Sequence, residues 1–130
     1  FLIYDWTSAT EVEFNEDHFR GTMKSKNGYS HTRSINKNLD GYTIHDQVLG
    51  DTEGGKILLH TPCEVKRKKY GIDLLCNNRL LAKILTEHEV EIKECNTSLY
   101  YLKQEKNQEI SIVNKTVEKK KDFLFEILLI

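Results

Sequence analysis

Three turn-forming dipeptides, Asn27-Gly28, Asp40-Gly41 and Gly54-Gly55, stand thirteen and fourteen residues apart. Each tolerates the positive φ of a tight turn between antiparallel strands. The runs between them are alternating or rich in β-branched residues: Thr22 to Lys26, Tyr29 to Ile35, Tyr42 to Leu49 and Lys56 to Thr61. This punctuation predicts an antiparallel meander through Leu75, with Tyr29 and Tyr42 each following a turn glycine. The fold class expected is mainly β, a sandwich or a partly open barrel.

The flanking segments extend that reading. Phe1 to Tyr4 is an apolar run suited to a first strand, Asp5 to Ser8 reads as a turn, and Trp6 as a core anchor. Val12 and Phe14 alternate with Glu11 and Glu13, which places both on one strand face. Ile57, Leu58 and Leu59 in succession suggest a strand buried on both faces. Pro62, the one proline, should end a strand. Asn78 to Glu87 carries one short helix in this reading, with Asn78 as cap and Leu80, Leu81, Ile84 and Leu85 as its stripe. Val90 and Ile92 show a period of two, and Leu99 to Leu102 with Ile110 to Val113 make a hairpin around a polar loop, Glu105 to Gln108. Lys119 to Lys121 reads as a solvated run before a terminal strand, Asp122 to Ile130, too apolar to stand alone. That strand should be central or meet a partner.

At 130 residues the chain suits one domain, residues 1–130. It begins at Phe1 and stops inside an apolar run, which reads as a domain cut from a longer protein. A formal net charge of -1 supplies no overall field for nucleic acid or an anionic membrane, and no membrane-spanning segment is visible. Cys63, Cys76 and Cys95 match no disulfide framework and fit reduced thiols in an intracellular, cytoplasmic or nuclear protein. The sequons at Asn96 and Asn114 arise readily by chance in an Asn-rich chain.

Charge is uneven along the chain, with Glu11, Glu13, Glu16 and Asp17 in one cluster and Lys66 to Lys69 in another. Lys66, Arg67, Lys68, Lys69 and Tyr70, joined with Lys26 and Tyr29 of the Asn27-Gly28 hairpin, form a basic face with aromatic platforms. Charge of that kind tracks phosphates while aromatics stack bases. The function expected is a non-catalytic interaction module of a larger protein or assembly. It would reach a protein partner or neighbouring domain through the terminal strand, a sheet edge or the basic-aromatic face, with nucleic acid as the other partner class. A small-ligand carrier in a β-barrel is a further alternative and needs an apolar cavity.

The enzymatic alternative rests on Glu64-Val65-Lys66 with an upstream acid, Asp51 or Asp46. The triplet resembles the motif of metal-dependent nucleases of the PD-(D/E)xK type. That resemblance implies carboxylates of Asp51 and Glu64 on a divalent cation and Lys66 at the phosphate. The same triplet recurs at Glu91-Ile92-Lys93 and Glu118-Lys119-Lys120, so it is weakly specific. His60 and Cys63 have the spacing of half a zinc site, without a second pair. His45 and Asp46 are strand neighbours and point to opposite faces, which argues against a relay between them. No metal or cofactor is expected.

Overall fold

The computed structural model describes residues 7–25, 28–50, 54–100 and 103–130, and in them the chain is built of antiparallel strands. Residues 7–49 form a meander of four: β1 (Thr7–Phe14), β2 (His18–Ser25), β3 (Ser30–Lys37) and β4 (Gly41–Leu49). The chain then crosses to a second layer in β5 (Gly55–Thr61). It returns to the first as β6 (Glu64–Lys68), β7 (Gly71–Cys76) and β8 (Arg79–Leu85). A long hairpin of β9 (Glu89–Tyr100) and β10 (Lys103–Asn114) completes the second layer, and β11 (Lys120–Leu129) goes back to the first. The large sheet has eight strands in the order β1-β2-β3-β4-β11-β8-β7-β6, and the small one three, β5-β10-β9.

The fold is thus an antiparallel two-sheet sandwich, not a closed barrel. Its core lies where the small sheet covers the large one. Ile44 and Val48 of β4, Phe123 and Phe125 of β11, Ile84 of β8 and Ile72 of β7 meet Ile57, Val90, Ile110 and Ile112 from the other layer. The two sheets stay open rather than closing on themselves, so the barrel of the ligand-carrier alternative does not form.

Several expectations need correction. The predicted helix at 78–87 is strand β8. Asn77 and Asn78 both have positive φ, 51° and 63°, and form the two-residue turn of the β7–β8 hairpin, so Asn78 caps nothing. Lys56 to Thr61 leaves the meander for the small sheet. Its Ile57 is buried and Leu58 half exposed, so the strand is not buried on both faces. Thr7 and Ser8 belong to β1 rather than to a turn, and residues 105–108 belong to β10 rather than to a loop. Lys121 is not solvated. It occupies the inner-face position preceding Phe123, is 1% exposed, and donates from Nζ to the Glu118 carbonyl. The terminal strand is central, paired with β4 on one side and β8 on the other. Phe1 to Tyr4 and Trp6 lie outside the described residues.

Gly41 shows why a turn dipeptide here needs glycine for space rather than for φ. A Cβ at this position would sit 1.8 Å from the Ile127 carbonyl oxygen of β11. Gly28 is the ordinary case, with φ +86° in the β2–β3 turn.

Candidate functional site

The β6–β7 turn projects the basic segment singled out in the sequence into an open groove of about 730 Å³. Arg67, Lys68, Lys69 and Tyr70 form one wall, and Glu87, Glu89 and Glu126 stand among its other lining groups. Leu85, Val90, Leu124 and Phe125 give it an apolar floor. Period-two alternation sends the residues of β6 apart. Arg67 faces the small sheet and donates from Nη1 to the Val90 carbonyl at 2.6 Å, while Lys66 and Lys68 lie on the outer face, exposed. Tyr70 donates its hydroxyl to Asp73, and Lys83 Nζ sits 4.8 Å from its ring centre. The hydrogen bond to Asp73 raises the Tyr70 pKa, so the phenol stays protonated across the physiological range. One ring face is therefore already taken by a cation.

The groove exists because β8 stops at Leu85 while β11 continues past it. Beyond that point β11 would present bare backbone, and side chains take over the pairing. Thr86 Oγ1 donates to the Leu124 carbonyl at 2.9 Å, and the Leu124 N–H donates to His88 Nε2 at 3.2 Å. Asn114 Nδ2 donates to the Asp122 carbonyl. His88 accepts at Nε2, so its ring hydrogen is on Nδ1 when neutral.

The other residues singled out do not join this groove. Tyr29 lies in the β2–β3 connection, with β4, β11 and β8 between β3 and β7, about 19 Å away at a strand spacing of roughly 4.8 Å. Lys26 lies outside the described residues, as does Asp51. Glu64 and Lys66 share the outer face of β6, whereas Asp46 points inward from β4, four strand positions away. Asp46 therefore cannot complete the nuclease constellation. Among the described residues no three His, Cys, Asp or Glu side chains gather as a metal site. Cys63, Cys76 and Cys95 are free thiols, and His60 turns to Glu109 at 3.7 Å.

A second polar cluster carries no local sequence signal. Asp46, fully buried, accepts from Arg33 Nε at 2.7 Å and Nη2 at 2.9 Å, and is 2.9 Å from His31 Nε2. Burial pushes its carboxyl up, but the hydrogen bonds from His31 and Arg33 outweigh that and hold it below the ordinary value. Arg33 stands directly opposite Asp46 across β3–β4, and His31 one diagonal step away. His45 and Asp46 do point apart, as alternation requires. His45 Nε2 instead lies 2.9 Å from Asp122 on the outer face. Only the β3–β4 and β4–β11 registers bring these pairs together, and no local motif announces them.

The fold so built defines the class: an open antiparallel β-sandwich of one large and one small sheet. No family model matches the sequence, and no curated protein matches it. Solved structures do share the fold. A heparinase III, the BT4657 gene product, superposes with a TM-score of 0.68 at 14% identity, over 95% of this chain and 21% of that one. A mutant of the heparan sulfate lyase HepC from Pedobacter heparinus does so with a TM-score of 0.67 at 14% identity, over 94% of this chain and 21% of that one. At this identity the likeness establishes the fold. The chain spans about a fifth of the length of these lyases, in which the same arrangement is one part of a larger protein.

Proposed function

We propose that this chain is a non-catalytic module of a larger polysaccharide-processing protein, and that the groove beside the β6–β7 turn binds an acidic glycan. The observation that carries the reading is the mixed lining of that groove. Lys68 and Lys69 face the solvent at its rim, and their ammonium groups suit carboxylate or sulfate substituents. Glu87, Glu89 and Glu126 suit the hydroxyl donors of a sugar, and the apolar floor suits its C–H faces. Carboxylates are matched by hydroxyl donors, which a sugar chain presents in greater number than a nucleic-acid strand, so a glycan fits better than nucleic acid. The fold shared with a heparan sulfate lyase supports the same ligand class. The reading assigns this chain holding, not bond cleavage.

Binding of heparan sulfate, neutral dextran and a single-stranded oligonucleotide to the purified chain tests it. Heparan sulfate is expected to bind, with affinity that falls as salt rises. The double variant Lys68→Glu, Lys69→Glu is expected to lose about tenfold or more. Equal binding of dextran, preference for the oligonucleotide, or full affinity in the variant overturns the reading.

A further inference from the structure

The two layers of the sandwich are unequal, and the mismatch falls in one place. Eight strands face three, and of β1, β2 and β3 only Ile35 packs, partly buried, against the core cluster. Yet one row of their inner face is apolar, beside the polar His31, Arg33 and Lys37. The register aligns Phe14 with Phe19, Phe19 with Ile35, and Ile35 with Ile44, so an apolar row runs from the core outward to the edge strand. Tyr42, opposite both Lys37 and Ile127, adds to it. Phe14 is 79% exposed and Met23 49%, while Phe19 and Tyr42 are each 37% exposed. The Phe19 ring lies over Gly21, whose missing side chain leaves room for it.

Two depressions mark this uncovered strip. One, of about 360 Å³, lies between the β5 segment Gly55 to Leu58 and Tyr29, His31 and Arg33 of the large sheet. The other, of about 260 Å³, is lined by Phe14, Phe19, Ile35 and Tyr42, with Glu16 and Asp17 of the β1–β2 turn on one side and His18 and Lys37 beside them. Beside them, β5 pairs with β10 alone among the described residues, so its other side is an open hydrogen-bonding edge. A strand laid on that edge would extend the small sheet over β3 and β2.

We propose that this strip is a docking site for an extended polypeptide strand. The strand adds to the free edge of β5 as a fourth member of the small sheet, with alternate apolar side chains turned onto Phe19, Met23, Ile35 and Tyr42. Three features define that occupant. The site continues the existing sheet–sheet interface, so it calls for the same period-two chemistry. The open β5 edge supplies backbone pairing, which fixes an extended conformation. Glu16 and Asp17 favour a lysine or arginine at the end of the strand nearest the β1–β2 turn. The site is separate from the glycan groove and does not depend on it.

A synthetic peptide with valine at every second position, threonine between and lysine at one end probes the site, read by fluorescence anisotropy and amide hydrogen exchange. The peptide is expected to bind and to slow exchange at β5. A permuted peptide with its valines contiguous is expected not to. Met23→Glu, on an exposed position, is expected to weaken binding about tenfold with an unchanged melting temperature, and Phe19→Ser gives a second test of the same face. Lys68→Glu with Lys69→Glu is expected to leave peptide binding intact, which separates this site from the groove. No binding, equal binding of the permuted peptide, or protection at β1 or β6 in place of β5 overturns the proposal. Protection of β5 by self-association without peptide also overturns it, in favour of a second copy of the chain.

Discussion

The large sheet has two halves that are hydrogen-bonded alike and packed differently. In β4, β11, β8 and β7 the inner-face residues Ile44, Phe123, Phe125, Ile84 and Ile72 are buried under the small sheet. In β1, β2 and β3 the ladder registers are as continuous, apart from one bulge in β1, yet Phe14, Phe19 and Met23 remain in contact with solvent. Backbone pairing gives both halves their geometry, but only a second layer removes apolar surface from water, and that removal dominates folding free energy. The seam between the halves falls at β3–β4. There Asp46 points inward from the last covered strand, and Arg33 and His31 reach back from the first uncovered one. A charge cluster holds the position where the apolar core stops.

This contrast is best broken with paired substitutions. Phe125→Ala in the covered half is expected to cost about 3–5 kcal/mol, as a cavity in a filled core does, whereas Phe19→Ala should cost under about 1 kcal/mol. Urea unfolding midpoints read both, and similar losses would mean that the uncovered half is packed as well as the core. At the seam, Arg33→Met leaves the buried Asp46 carboxylate with His31 alone, for an expected loss of about 3 kcal/mol in the same assay.

Acid sharpens the seam further. Asp46 is a stronger acid folded than its ordinary value of 3.8, and Asp122 is shifted the same way, its burial outweighed by Gln47 and His45. Below that value the unfolded chain takes up protons that the folded one still refuses. Their stabilisation is therefore complete above it and lost as pH falls through the depressed values. Thermal melts through this range should fall steeply for the native chain and less steeply for Asp46→Asn. An identical slope in the variant would move the effect elsewhere. The smallest change is expected at the solvated pair on the outer face, where His45→Gln should shift stability by about 0.5 kcal/mol or less.

Much of the fold is written locally. The strands from Thr22 to Leu49 follow from their turns and alternation, and the apolar end segment reads as a strand that is central or meets a partner, of which the structure shows the first. The failures have physical causes. β8 carries apolar residues on both faces, Ala82 and Ile84 inward and Leu81 and Leu85 outward, and such a run mimics a helix stripe. The signal that decides it is Asn77-Asn78, since two residues that both tolerate positive φ make a strand turn. The charge of Lys121 masks its period-two phase with Phe123 and Phe125, which puts it on the buried face. The basic segment Lys66 to Tyr70 is legible in composition, but its opposing wall, Glu87, Glu89 and Glu126, comes from elements brought near only by the sheet order. Nothing in the sequence pairs Asp46 with Arg33, since that contact belongs to register rather than to motif.

The place of β11 has a consequence for how the protein is made. The last of the described strands to be synthesised is the one that joins the two meanders, filling the gap between β4 and β8. About seventy residues separate Leu49 from Lys120, and at about 5–20 residues per second a ribosome takes roughly 4–14 seconds to deliver them. For that interval the edge of β4 stands open, with Ile44 and Val48 beside it and the pairing partners of other nascent chains within reach. The sheet is closed by the latest-made of these strands, so the time at which this chain is most prone to join a neighbour is while it is still being made.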